Sequence, residues 1–489
     1  MTESNKRSLL YKFNPTTPHQ RREQQRTTDF EQRKRKRQEL LKSKRIRYEE
    51  EEETEVNDGH FTKDQAKILS ESFQKGPLLE RLHQLKAIRR MMSQDLSLID
   101  VFLSVSNSLP ALVGLLTSND SNLQVEAAWC ITNLSAGSDH HCNVALKASA
   151  PYLITYLDGQ NIELKDHCCW ALGNMAANGT ECQTMLQRLG LLTPLVNIIM
   201  TCSYAPQLMQ SALFAMANMM SNNEICSGFP SINVEFISRL LHFQRSQLNT
   251  GGRSGTVLEI CRLLFHISCS SSKHSVMLST GVFSELTDVL VQHILATDNM
   301  ITIITPLIRC LGNLAFQPND FIDSAVKDGR LVKCLSQLLQ AGNVPFFLQK
   351  EVLWVLNNVT VVSAAASQQC MDNNLHTYLV GLLHSQPGNV QLEIVTCLLH
   401  LLNHDVTICS HLIDSGLITN IGVVMKRAET EPTELALCLL EQILQIHSEV
   451  KPVCEENEIV STLESLTFSS DPRVQARASD ILQVHWGHV

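Results

Sequence analysis

Apolar residues recur along this chain at helical spacing, in blocks separated by short polar or glycine breaks. Two kinds of block alternate. One opens after a Gly, Ser or Asn: SLPALVGLL (108–116), SAPYLITYL (149–157), GLLTPLVNII (190–199), GVFSELTDVL (281–290), GRLVKCLSQLL (329–339), NLHTYLVGLL (374–383) and GLITNIGVV (416–424). The other closes the unit: EAAWCITNLSAG (126–137), CCWALGNMAANG (168–179), ALFAMANMMSN (212–222), EICRLLFHISCS (259–270), LIRCLGNLAF (307–316), EVLWVLNNVT (351–360) and EIVTCLLHLLN (393–403). Aligning the closing blocks sets one register position at Trp129, Trp170, Phe214, Arg262, Arg309, Trp354 and Thr396. The steps between them are 41, 44, 48, 47, 45 and 42 residues.

That period matches the ~40–47 residues of armadillo and HEAT units. Helices of one unit cannot bury their apolar faces alone, and stacking joins them into one core. The expected fold is all-α: an armadillo/HEAT-type right-handed superhelical solenoid over 61–489, of about nine to ten units. Residues 62–94 read as a cap and first unit, and 435–447 and 473–485 as the last helices of two further units. At 489 residues the chain exceeds a single ordinary core, and aromatics at 5% beside 44% hydrophobic residues suit helix packing better than a β-sandwich.

Charge changes the picture at the N-terminus. The net charge of −9 hides a basic arm, 1–47, with 15 Lys/Arg and 5 Asp/Glu. An acidic linker (48–60) follows. Residues 30–47 lack Gly and Pro and favour a helix, one polar enough to need an acidic partner. Charge alone leaves three roles open: a nucleic-acid patch, a localisation signal, or a docking helix. Only Phe30 interrupts the basic cluster, so base stacking and direct nucleic-acid binding are not expected.

The sixteen cysteines sit in apolar helical blocks without a CxxC pair, which reads as reduced core thiols with no metal. No cofactor is expected, and no phosphate-loop, nucleophile-elbow or zinc-protease fingerprint occurs, so the chain is not expected to be an enzyme. The apolar stretch 189–205 is broken by Pro194 and Asn197 and keeps the repeat rhythm; it reads as a buried repeat helix, and membrane insertion is not expected.

Four residues after the register position stand Asn133, Asn174, Asn218, His266, Asn313, Asn358 and His400. That spacing puts both residues on one helix face. Stacked, they form two rows: amides able to hold an extended peptide backbone, and rings whose slots take cationic side chains. The plainer alternative is that the asparagines bridge adjacent units and the tryptophans are core. Three tryptophans and five asparagines in register favour the binding ladder.

These residues resemble importin-α, the adaptor family that carries nuclear-localisation cargo. Its W-x-x-x-N pairs match at Trp129/Asn133, Trp170/Asn174 and Trp354/Asn358, and its Arg-for-Trp unit matches at Arg309/Asn313. The arm is similar to the family's importin-β-binding segment at Arg21 and Arg22, at Arg33, Lys34, Arg35, Lys36 and Arg37, and at Leu40, Leu41, Lys42, Lys44 and Arg45. LVGLLTSN (112–119) and LWVLNN (353–358) are similar to phrases of a divergent branch of that family. The resemblance implies a groove for basic peptides and an arm for an importin-β-like carrier, in cytoplasm and nucleus.

Departures qualify it. Where the family has an Asp that pairs with the key cargo lysine, this chain has Asn178; a charge-assisted contact is worth ~1.5–3 kcal/mol and a neutral one about half that, so this site is expected to be weak. Phe214, beside Asn218, is a poorer ring than Trp, and Arg262/His266 and Thr396/His400 break the pattern. Glu393 stands at the family's acidic partner for a second cargo lysine. The family's acidic tail has no counterpart in QVHWGHV (483–489). Two functions follow as expectations: an import adaptor for signal-bearing cargo, or a scaffold that lost cargo binding and whose arm serves its own import.

Overall fold

The computed structural model describes residues 20–25, 27, 60–75, 78–249, 254–294, 300–316, 320–342, 344–427 and 429–487. Among them there is no strand. The acidic linker, apart from His60, and the arm's basic cluster at 33–45 lie outside the described residues.

The repeat is a triplet of helices, which makes it an armadillo unit and not a two-helix HEAT unit. One unit runs Thr180–Arg188, Leu192–Thr201 and Pro206–Met220; another runs Ala364–Asp372, Leu375–Leu382 and Gly388–His404. The opening blocks of the sequence are the middle helices, and the closing blocks are the long third helices. A short first helix precedes each middle one except in the unit where the two are fused as Asp139–Tyr156.

Start signals for the long helices are local. Asp120 and Asp471 accept backbone N–H bonds from residues two positions on, and Asn161 accepts from Leu164 N at 3.0 Å. Pro206 and Pro472 stand in the first turn, where a missing N–H costs nothing. The turn before a middle helix is left-handed at Gly281 and Gly416 (φ 74° and 83°), and at Asn107 and Asn374 as well. The break expected before SAPYLITYL is absent: one helix spans Asp139–Tyr156, with Pro151 inside it. Ala148-Ser149-Ala150 offers no residue suited to the left-handed turn, so the chain stays helical and forgoes one backbone bond at the proline.

Middle helices are amphipathic. Arg330–Gln340 buries Leu331, Val332, Leu335, Leu338 and Leu339 along one stripe. Long helices are buried almost all round: Phe346–Thr360 buries twelve of its fifteen residues. The reason is their place in the stack. Ile162–Ala176 packs between Ser121–Ser135 and Pro206–Met220, so two opposite faces must be apolar.

The chain divides into two compact units. One comprises 23–280, with long helices Leu78–Gln94, Ser121–Ser135, Ile162–Ala176, Pro206–Met220 and Ser254–Ser268. The other comprises 281–489 together with 1–22, with long helices Met300–Ala315, Phe346–Thr360, Gly388–His404, Thr430–Ile446 and Pro472–Trp486. All sixteen cysteines are free thiols, and fifteen are buried; burial pushes the Cys397 and Cys454 thiols up to about 12.

Among the described residues no single helix is long and apolar enough to cross a membrane, though two sharply bent helix pairs pass by length and composition alone. The 189–205 stretch is interrupted at Gly190 (φ 87°) and contributes only the ten-residue helix Leu192–Thr201. At ~1.5 Å per residue that is about half a bilayer's hydrocarbon core.

Candidate functional site

The asparagine row is built into the joints between repeats. Asn133 Nδ2 donates to Arg89 O at 3.0 Å, Asn174 Nδ2 to Thr132 O at 3.3 Å, Asn218 Nδ2 to Gly173 O at 2.9 Å and Asn358 Nδ2 to Gly312 O at 3.0 Å. Each acceptor lies in the long helix of the preceding repeat, at the same register position. These amides are 6%, 4%, 3% and 1% exposed, and Asn313 is fully buried. Each such bond is a second one for its carbonyl: Thr132 O, Gly173 O and Gly312 O also accept from the backbone N–H groups of Ala136, Ala177 and Phe316. Bridging is thus a real role of the row, and it takes one of the two N–H groups of each amide.

The ring row has its own spacing rule. Gly173 and Gly312, three residues after Trp170 and Arg309, lie under the next repeat's ring. A Cβ at Gly173 would meet Phe214 Cδ1 at 2.5 Å, and one at Gly312 would meet Trp354 Cζ3 at 2.3 Å. Trp354 is 4% exposed; Trp129, Trp170 and Phe214 are half-buried. Trp129 stacks with His167, centroids 4.7 Å apart.

In the 281–489 unit the expected second cargo site is a filled cation slot. Residues 20–25 are helical, and Arg21 and Arg22 are 7% and 8% exposed. The Arg21 guanidinium carbon lies 4.4 Å from the Trp354 ring centroid. Its Nη1 donates to Glu393 Oε1 at 2.6 Å, and its Nη2 lies 3.6 Å from Glu351 Oε2. Arg22 lies over Phe316 at 5.9 Å. Asn357 Nδ2 donates to Glu393 Oε2 at 2.9 Å, and Arg309 Nε donates to Glu351 Oε1 at 3.2 Å. Arg309 therefore serves as counter-ion to Glu351, with its carboxylate shared between two arginines. Such a site combines ring attraction of ~0.5–2 kcal/mol with charge-assisted bonds in a sheltered environment.

In the 23–280 unit, Asn178 Nδ2 donates to Asn143 Oδ1 at 3.4 Å and stands near Cys182, with no carboxylate in that pair. Trp129 holds a guanidinium too, from Arg89, 3.7 Å from the ring centroid.

Sequence reading found Trp354, Glu393, Arg309 and Arg21 without showing that they meet. It missed Glu351, Asn357, Phe316, Arg89 and Glu126. A signal existed: Glu126, Glu259, Glu351 and Glu393 each stand three residues before the register position, on the ring's face of the helix.

Triplet repeats, a W-x-x-x-N row and an arginine-filled carboxylate slot define an importin-α-like armadillo protein. Importin subunit alpha-9 of Arabidopsis thaliana is 22% identical over 440 residues, covering 84% of this chain and 81% of the relative. Importin subunit alpha-2 of Oryza sativa subsp. japonica is 24% identical over 442 residues, covering 84% and 79%. The fold matches the crystal structure of an engineered protein with a TM-score of 0.72 at 22% identity, covering 86% of this chain and 98% of that one. The sequence pattern of the TMCO6 family matches residues 66–484, and the chain belongs to that family.

Proposed function

We propose that this chain is an adaptor-like protein that binds basic, signal-bearing peptides at the Trp354 slot, and that its own N-terminal arm holds that slot as an internal ligand. The observation that carries the reading is Arg21, seated on Trp354 with its guanidinium against Glu393 and Glu351. A site that takes a guanidinium from the arm has the chemistry to take one from another protein. An importin-β-like carrier that draws the arm (1–47) away would free the slot, with the acidic segment 48–60 as tether and 61–489 as the cargo-facing solenoid. Cytoplasm and nucleus are the compartments this role requires.

The 23–280 unit favours a second role. Asn178 brings no charge where the resemblance implies a carboxylate, so this half reads as scaffold.

The experiment is binding of a fluorescent lysine- and arginine-rich peptide to the full chain across a salt series. Arg21→Ala is expected to tighten binding about tenfold or more by removing the tethered competitor, and adding Trp354→Ala is expected to abolish it. Equal binding by wild type, Arg21→Ala and the double variant would overturn the reading.

A further inference from the structure

The slot around Trp129 is closed by the repeat array itself. Arg89 belongs to the long helix Leu78–Gln94, in the repeat before Trp129. Its guanidinium carbon lies 3.7 Å from the Trp129 centroid, and its Nε lies 3.1 Å from Glu126 Oε2. The contact to Glu126 is an ion pair and not a directed hydrogen bond. Both side chains are sheltered, at 9% and 10% exposed. The backbone is pinned as well, since Arg89 O accepts the Asn133 amide.

The arrangement repeats the one at Trp354. In each slot a Glu stands three residues before a Trp, and an arginine lies on the ring beside the carboxylate: Glu126, Trp129 and Arg89 in one, Glu351, Trp354 and Arg21 in the other. The two differ in how the arginine is attached. Arg21 is borne by the N-terminal arm, and detaching the arm removes it. Arg89 sits inside a packed repeat, between Ile88 and Met91, which are fully buried. It leaves only by swinging its side chain out of a charged, aromatic pocket. A ligand held this close competes at an effective concentration on the order of millimolar or above.

We propose that Arg89 is a specificity-determining residue: it fills the Trp129 slot as a permanent internal ligand, excludes incoming cationic side chains there, and leaves the Trp354 slot as the place where a basic peptide docks. The second half of this statement rests on the proposed peptide-binding reading; the closure of the Trp129 slot does not.

The test uses the full chain carrying Trp354→Ala, so that the Trp354 slot does not contribute, with a fluorescent hexa-arginine peptide followed by anisotropy at 0.15 M salt. Arg89→Ala in this background is expected to tighten binding at least about tenfold, the factor that corresponds to ~1.4 kcal/mol. Further change of Trp129→Ala is expected to erase the gain. Arg89→Met, which keeps the slot filled without charge, is expected to give no gain. Should Arg89→Ala fail to fold because Glu126 loses this ion pair, Arg89→Ala/Glu126→Gln removes the carboxylate charge as well and is expected to show a smaller gain that still needs Trp129. No gain in either opened variant, or a gain that survives Trp129→Ala, overturns the proposal. Failure of the Trp354 reading shows elsewhere, as no effect of Arg21→Ala in a chain with Arg89 and Trp354 intact.

Discussion

Glu393→Gln probes what holds the arm in its slot. The wild-type carboxylate is 3% exposed and spends one oxygen on Arg21 Nη1 at 2.6 Å and the other on Asn357 Nδ2 at 2.9 Å. Glutamine keeps the shape but offers one acceptor, and its NH2 must face one of two donors. The loss is that of a charge-assisted bond, ~1.5–3 kcal/mol. Ring attraction to Trp354 at ~0.5–2 kcal/mol and the longer contact to Glu351 remain, so the arm should still dock, but with a shifted equilibrium. That shift is a factor of roughly ten to a hundred in the open fraction. Trypsin reads it directly, because the Arg21–Arg22 bond is cut only when Arg21 leaves Trp354 and Glu393. Where reclosing outpaces cutting, cleavage tracks the open population. Cleavage at the Arg21–Arg22 bond, followed as peptides ending at Arg21 by mass spectrometry, should therefore speed up about ten- to a hundredfold in Glu393→Gln. Glu449→Gln, an exposed carboxylate of the same unit, should leave it unchanged. A Glu393→Gln rate equal to wild type would refute the reasoning, since Arg21 would then not owe its place to this carboxylate.

Three further outcomes are expected. Gly312→Ala should lower stability by ~1–3 kcal/mol in urea unfolding, since a Cβ 2.3 Å from Trp354 Cζ3 forces the ring off its seat, an effect larger than the helix propensity gained. Asn358→Ala should cost ~0.5–1.5 kcal/mol by the same measurement, because it removes a buried bond between repeats while Gly312 O keeps its helical partner, Phe316 N; no cost would mean the amide row is not structural. Alkali should destabilise the fold: the Cys397, Cys438 and Cys454 thiols ionise near 9.0 when unfolded but are pushed up to about 12, 11 and 12 by burial in the native chain. The folded chain thus holds its thiol protons more tightly, so stability is full below about pH 9 and falls as pH rises toward 11–12, which thermal melts at constant ionic strength would register.

The helical repeat was legible in the sequence because it is written in short-range terms. Apolar spacing, capping Asp and Asn, and left-handed turn residues such as Gly281 and Asn374 act within a few residues of themselves. Hence the long third helices and the register from Trp129 to Thr396 followed directly from the chain, as did the buried thiols. The sequence was weaker where local signals conflict. Ser149 reads like a break, yet Asp139–Tyr156 runs on as one helix because nothing there favours the left-handed turn.

What only the tertiary structure decided is which side chains meet across repeats. Asn358 is equally suited to hold a peptide or a neighbour's carbonyl; its distance to Gly312 O shows that it holds the carbonyl. Gly312 gives no hint in sequence that it makes room for a ring 42 residues away. Arg89 reads as one more surface cation in LKAIRRMM until stacking sets it on Trp129. Arg21 and Glu393 are 372 residues apart, and no periodicity links them. Local propensity fixes each helix and its register, but the identity of a neighbour depends on how the helices pack. Charge and ring chemistry then settle which of those neighbours attract.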